Sequence, residues 1–192
     1  MRLFLAVLPP EPVVAELAAR VDDLKRLPGA GALRWTERAG WHLTLAFLGE
    51  VDDAAVPALE ARLETAARHT EPFALALRGG GRFGERALWA GVSGQVSALR
   101  LLAGRVEGVA RAEGLAVNEA RAFHPHLTLA RGRGEVDLGD FVEALGSFVG
   151  AVWEVREVAL VRSGARYETV GVWGFPDPAP SRNQGAAPPG PP

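Results

Sequence analysis

Two identical tetrapeptides, His-Leu-Thr-Leu, begin at His42 and at His126. The chain has only four histidines, so half of them belong to this repeat. Histidine is the side chain whose ordinary pKa, about 6.5, allows it to give and take protons near neutral pH. Two histidines in matching settings therefore predict a general acid and a general base.

Alternation along a β-strand decides which side chains of each motif share a face. Each copy is predicted to place a histidine, a threonine and a small alanine on one face, with leucines on the other. The two sets are His42, Thr44 and Ala46, and His126, Thr128 and Ala130. Each imidazole would then lie roughly 7 Å from a hydroxyl, which is two strand rises.

Pairing the two motif strands across a pseudo-two-fold axis would bring both imidazoles to one cleft. One imidazole can then deprotonate a nucleophile while the other protonates a leaving group. The two threonines can donate hydrogen bonds to oxygens held between them. In-line displacement at phosphorus needs groups on opposite sides, so this arrangement predicts hydrolysis of a phosphodiester, with no metal ion or other cofactor required.

The bulk composition is that of an ordinary globular protein, with 48% hydrophobic and 23% charged residues. The net charge of −2 excludes a global field that attracts nucleic acid, so a polyanion would need a local cluster of arginines. The absence of cysteine excludes disulfides and thiol nucleophiles. The apolar stretch 3–8 is too short to span a membrane, and we expect a cytoplasmic protein without a membrane partner.

Apolar periodicity predicts the order strand, helix, motif strand, helix and hairpin in each half of the chain, as in an internal duplication. The strands are expected at 3–8, 41–48, 73–77, 86–92, 123–130, 152–162 and 167–175, and the helices near 12–27, 53–68, 96–113 and 140–148. The glycine run at 79–81 predicts a turn. Residues 1–175 are expected to form one bilobal domain, and the proline-rich residues 176–192 a disordered tail.

Several further stretches accompany the two motifs. They are 2–6 (Arg-Leu-Phe-Leu-Ala), 42–49 (the first motif, ending in Gly49), 88–92 (Leu-Trp-Ala-Gly-Val), 123–131 (the second motif with its flanks) and 160–163, which leads to Tyr167. On these residues the chain resembles the two-histidine (2H) phosphoesterases. Within them it is most similar to the RNA 2′,3′-cyclic phosphodiesterases, also called 2′-5′ RNA ligase-like proteins.

The resemblance implies a bilobal, duplicated α+β fold, in which two antiparallel or mixed β-sheets line a central cleft and helices pack outside. It implies hydrolysis of a 2′,3′-cyclic phosphate at an RNA end to a 2′-phosphomonoester. By position, His42 would be the proton donor to the departing 3′ oxygen and His126 the proton acceptor that activates water. Thr44 and Thr128 would hold the phosphate. Ligation in the reverse direction, without ATP, is also implied.

Several residues near the motifs have a possible functional role in addition to a structural one. Arg131 suits a phosphate oxygen, but alternation places it opposite His126 unless the strand bulges or ends there. His124 forms a His-x-His pair with His126 that could bind a metal, although a structural role is favoured. Phe4 could stack on a base, although core packing is favoured. Arg34 and Arg38, which precede the first motif strand, are candidates for a rim that guides a phosphate.

Two alternatives to the RNA-end phosphodiesterase stay open at this point. The same fold could act on small cyclic-phosphate nucleotides or on 2′-5′ oligonucleotides. A non-catalytic protein that binds RNA ends would also use the cleft, and its affinity would fall with salt. In each case we expect a monomer without an obligate protein partner.

Overall fold

The computed structural model describes residues 1–115, 117 and 122–178. Its strands and helices are β1 (Arg2–Val7), α1 (Glu11–Leu24), β2 (Arg34–Trp35), β3 (Leu43–Glu50), α2 (Val56–Arg68), β4 (Phe73–Phe83), β5 (Ala87–Gly94), α3 (Val96–Ala112), β6 (Leu127–Arg131), α4 (Gly139–Leu145), β7 (Trp153–Val155), β8 (Glu157–Arg162) and β9 (Glu168–Gly174). Of the tail predicted at 176–192, residues 179–192 lie outside the described residues.

The strands form two sheets in which every pair is antiparallel. The first sheet has the order β3-β1-β8-β9, and the second has the order β2-β6-β5-β4-β7. The two motif strands, β3 and β6, therefore belong to different sheets and do not pair with each other. The predicted α+β fold with two sheets is confirmed, and the residues of the two motifs can meet only between the sheets.

The two halves of the chain exchange strands. β5 pairs with the motif strand β6 as β1 pairs with β3, so β5 is the first strand of the second half. β4 from the first half joins β5, and β8 from the second half joins β1. Neither sheet is therefore built from one half of the chain alone.

Each helix buries the apolar stripe that its sequence predicts. In α1 the buried residues include Val14, Leu17, Val21 and Leu24, and in α3 they include Leu99, Leu102 and Val106. α3 packs on β3 and on α2, and α4 packs on β4. Most buried apolar side chains join one large core, so the motif strands rest on packed helices.

The glycine run at 79–81 lies inside β4, and the turn predicted there was wrong. Gly79 has a φ of +59°, and the pairing of β4 with β5 shifts register between Leu77 and Gly80. Gly81 lies opposite Trp89, and a Cβ on Gly81 would overlap the indole ring. The glycines thus belong to a bulged strand that leaves room for Trp89. The glycine run in the sequence does not by itself distinguish this role from a turn.

Both motif strands contain an irregularity that changes which side chains face the cleft. β3 begins at Leu43 and β6 at Leu127, so each histidine immediately precedes its strand, later than the predicted starts at 41 and 123. The pairing of β1 with β3 skips Leu45, and the pairing of β5 with β6 skips Leu129. Each strand therefore has two consecutive buried residues after its threonine, as expected at a β-bulge.

Because of the bulges, the faces predicted for the two motif alanines were wrong. Ala46 is 4% exposed and Ala130 is 1% exposed, so neither completes the polar face of its motif as alternation alone predicted. The residues that follow them, Phe47 and Arg131, return to the side of the threonines instead. Equivalent positions of the two copies thus present an exposed phenyl ring and a guanidinium group.

Within the described ranges, no helix is long and apolar enough to cross a membrane.

Replacing Gly81 with alanine should destabilise the protein, because the new methyl group overlaps a rigid ring that packs beside His126. We expect the free energy of unfolding to fall by about 1–3 kcal/mol, as for other overpacked sites. Gly104→Ala is the matched control, since its Cβ would meet nothing within 4 Å in α3 and should stabilise by about 0.5–1 kcal/mol. Urea unfolding measures both, and equal stability of Gly81→Ala and the wild type would contradict the packing.

Candidate active site

A cavity of about 520 Å³ lies between the two sheets. The first sheet contributes Phe4 and the segment that holds His42 and Thr44, and the second contributes the segment that holds His126 and Thr128. Arg131 lines the same cavity. The structure therefore brings together the five side chains that the sequence singled out: His42, Thr44, His126, Thr128 and Arg131.

His42 is fixed by hydrogen bonds at both ring nitrogens. Nδ1 lies 2.7 Å from the carbonyl oxygen of Gly40, and Nε2 lies 3.0 Å from Oγ1 of Thr44. Because a carbonyl oxygen only accepts, Nδ1 must carry a proton, and Nε2 is the nitrogen whose protonation changes. The ring thus presents its reactive nitrogen on the side of the threonine.

His126 repeats this arrangement. Its Nδ1 lies 2.7 Å from the carbonyl oxygen of His124, again two residues earlier in the chain. Nδ1 therefore donates to His124, and Nε2 is the nitrogen that can take a proton in the neutral ring. Two histidines with the same tautomer, facing one cavity from different sheets, have the geometry of an acid–base pair.

Aromatic rings hold each imidazole from the side. The ring centroids of Phe4 and His42 are 4.7 Å apart, and Tyr167 meets His42 edge-on at 5.2 Å. Phe83 meets His126 edge-on at 4.9 Å, and Trp89 lies 6.1 Å from it. These contacts restrict rotation of both rings, as a preorganised site requires.

Phe4 is 3% exposed, which agrees with the predicted packing role. Its buried neighbours Ala6, Ala159 and Val161 form a small cluster apart from the main core. Phe4 therefore supports the face of His42 with a ring that is itself almost inaccessible to a base.

Arg131 reaches the cavity because of the bulge in β6. Its guanidinium group and that of Arg2 line the cavity, and no carboxylate belongs to the described residues around it. Neither arginine forms an ion pair with any residue that the structure describes. A protein with a net charge of −2 thus has a positively charged cavity, which favours an anionic ligand.

The surroundings of His42 lower its pKa below the usual 6.5. Burial is the largest cause, because it disfavours the charged imidazolium. The hydrogen bond to Gly40 raises the pKa, whereas the positive charges of His126 and Arg131 lower it further. These surroundings therefore favour neutral His42, and an anion bound between these groups would oppose the shift.

Tyr167, Thr36 and Ser163 also line the cavity, and sequence reasoning gave none of them a role in the site. Tyr167 follows the turn between β8 and β9, and its ring packs against Gly40, whose Cβ position would be 3.2 Å away. Thr36 lies just after β2. Ser163 and Tyr167 belong to a stretch that carries the family resemblance, whereas Thr36 has no such signal. The three residues come from distant segments that meet only in the folded sheets.

His124 has a structural role in this arrangement. Its carbonyl oxygen accepts the hydrogen bond from His126, and its ring meets Trp89 at 4.9 Å. Among residues 1–115, 117 and 122–178, no group of three or more His, Asp or Glu side chains is arranged to hold a metal ion. The metal-binding interpretation of the His-x-His pair therefore has no further ligands among these residues.

The lowered pKa of His42 can be observed directly by NMR titration of its Cε1 proton. We expect a midpoint below 6.5, and an upward shift of that midpoint in Arg131→Gln, because a positive charge beside the imidazole is removed. The stability that neutral His42 contributes should be complete above pH 6.5 and should decrease as the pH falls below it, since the unfolded chain then binds the proton more readily.

Arg133→Gln is the matched control for this titration. Arg133 is an exposed arginine two positions from Arg131 that does not line the cavity. A His42 midpoint at or above 6.5, or an equal response to both substitutions, would contradict the electrostatic description.

Comparison with known proteins places the chain in a family. A model described as the 2′-5′ RNA ligase superfamily matches residues 9–166. An RNA 2′,3′-cyclic phosphodiesterase of Aeropyrum pernix is 32% identical over 150 residues, which cover 72% of this chain and 84% of that protein. A protein of the same name from Thermus thermophilus is 34% identical over 173 residues, covering 85% of this chain and 82% of that protein.

The fold leads to the same family. The crystal structure of E. coli LigT complexed with 3′-AMP matches with a TM-score of 0.70 and 26% sequence identity, covering 91% of this chain and 97% of that one. The two motifs, the paired sheets and these likenesses agree with the resemblance seen in the sequence. The chain belongs to the 2′-5′ RNA ligase superfamily.

Proposed function

We propose that the protein hydrolyses RNA 2′,3′-cyclic phosphodiester ends to 2′-phosphomonoesters by acid–base catalysis with two histidines. The single observation that carries the proposal is the shared cavity of His42 and His126, in which both rings have the same tautomer. The positively charged lining supports an anionic substrate, and the names of the relatives support the RNA 2′,3′-cyclic phosphate.

The reaction is an in-line displacement at phosphorus. His126 accepts a proton through Nε2 from a water molecule, whose oxygen forms the new bond to phosphorus. The bond between phosphorus and the 3′ oxygen breaks, and His42 donates the proton on its Nε2 to that oxygen. The phosphate stays on the 2′ oxygen, and each histidine ends in the protonation state from which the other began.

His42 must carry a proton to act as the donor. Its surroundings lower its pKa, which favours the neutral form and would by itself suit a base. A negatively charged phosphodiester beside His42 opposes the effects of burial and of the neighbouring cations. We infer that His42 acquires its proton together with the substrate, and we assign the two roles by position within the family.

The threonines and Arg131 hold the phosphate in this proposal. Oγ1 of Thr44 lies within hydrogen-bond distance of Nε2 of His42, so a phosphate oxygen bound there lies next to the proton to be donated. Thr128 occupies the equivalent position beside His126. Arg131 adds a positive charge that stabilises the charge on the equatorial oxygens in the transition state.

The proposal also covers the reverse reaction, the extent of the catalytic domain, the oligomeric state and the location of the protein. A 5′-hydroxyl in place of water would give ATP-independent 2′-5′ ligation, as a secondary reaction of the same site. Residues 1–175 form the single catalytic domain. The protein acts as a monomer without an obligate protein partner, and it acts in the cytoplasm.

The roles of the two histidines can be separated with a substrate whose leaving group needs no proton. A 3′-deoxynucleoside 2′-(4-nitrophenyl phosphate) releases stabilised nitrophenolate when water attacks phosphorus. His42→Ala should lose about 10²–10⁴-fold in kcat/KM on the 2′,3′-cyclic end but much less on the nitrophenyl ester, whereas His126→Ala should lose activity on both.

His69→Ala is the matched control, because His69 lies at the end of α2 and does not line the cavity. It should behave like the wild type on both substrates. Loss of the nitrophenyl activity in His42→Ala alone would exchange the two roles. Full activity of both motif variants would contradict the two-histidine mechanism, and saturable binding of RNA ends without product would indicate a non-catalytic binder.

A further inference from the structure

A second cavity, of about 530 Å³, adjoins the one between the histidines. Five residues line both cavities: Thr36, Gly40, Arg131, Ser163 and Tyr167. The two cavities are therefore parts of one continuous groove. Of these two cavities, Arg34 and Arg166 line only the adjoining one, and His42 and His126 line only the first one.

Arg34 and Arg131 lie directly opposite each other in the antiparallel pair of β2 and β6. Like charges at directly opposed positions of a sheet destabilise it. Both side chains are exposed, and neither forms an ion pair with any residue of the described ranges. An anion between the two guanidinium groups would remove this repulsion.

Two arginines just outside the groove do form ion pairs with carboxylates. Arg38 forms an ion pair with Glu11, and Arg162 forms one with Glu168. The arginines that line the adjoining cavity, Arg34, Arg131 and Arg166, have no such partner among the described residues. Glu37 is the one carboxylate among the described lining residues, so the adjoining cavity keeps a net positive charge.

We propose that this adjoining cavity binds the phosphodiester on the 5′ side of the terminal nucleotide, so that the enzyme prefers an oligonucleotide end to a cyclic mononucleotide. The proposal rests on the proposed function of the histidine cavity. Arg34 precedes Thr36 by two positions, or roughly 7 Å along an extended strand, a distance comparable with one step of an extended RNA backbone. The planar fork of arginine suits phosphate oxygens.

The test compares two dinucleotides with the same 2′,3′-cyclic end. One has an ordinary internal phosphodiester, and the other has an uncharged methylphosphonate at that position. The wild type should show a kcat/KM about tenfold higher on the charged linkage, the size expected for an exposed hydrogen-bonded ion pair with phosphate. Arg34→Gln and Arg166→Gln should each reduce this ratio, and the double variant should bring it close to one.

Arg100→Gln is the matched control, because Arg100 is an exposed arginine of α3 outside both cavities, and it should keep the wild-type ratio. Equal kcat/KM of the wild type on the two dinucleotides would overturn the proposal, as would a full ratio in the double variant. Because the ratio is measured within each protein, a change in its folded fraction cancels. Failure of the wild type to turn over either dinucleotide would contradict the proposed function instead.

Discussion

The site depends on one hydrogen bond made twice, from Nδ1 of a motif histidine to the carbonyl oxygen two residues earlier. Gly40 accepts it from His42, and His124 accepts it from His126, both at 2.7 Å. Each bond requires the chain to leave the extended ladder just before the motif strand, which is why both strands begin one residue after the histidine. Because it fixes the tautomer, each bond also leaves Nε2 as the ring nitrogen that can gain or lose a proton.

The duplicated fold makes the two histidines, each with its Nδ1 hydrogen bond, face one cavity from different sheets. Each motif strand lies beside the first strand of its own half, and the next strand of each sheet comes from the other half. A displacement of one motif strand is therefore resisted by ladders that involve both halves. Acid–base catalysis on two sides of a phosphorus atom needs such fixed opposition, because a loss of alignment by about 1 Å already reduces the rate strongly.

The sequence predicted the motif histidines, the threonines, the α+β fold and most helices, because their signals are local: a repeated tetrapeptide and apolar periodicity. It failed where a contact between strands overrides a local pattern. Glycine is typical of turns, but Gly81 lies in a strand. The indole ring of Trp89 in β5 occupies the space that a side chain at position 81 would need. Strict alternation predicted the wrong faces for Ala46 and Ala130. The bulges arise where the motif strands pair with β1 and β5, and the sequence of the motif does not encode this pairing.

The positive charge of the cavity favours an anionic substrate. The cavity of this slightly acidic protein concentrates arginines that have no ion-pair partner among the described residues, and these cations together with burial favour neutral His42 until an anion binds. The most direct test of the account is product analysis on an RNA oligonucleotide with a 2′,3′-cyclic end, in ¹⁸O-labelled water with excess chelator. We expect a terminal 2′-phosphate with one labelled oxygen, formed at the same rate with and without chelator. A 3′-phosphate product, or loss of turnover with chelator, would contradict it.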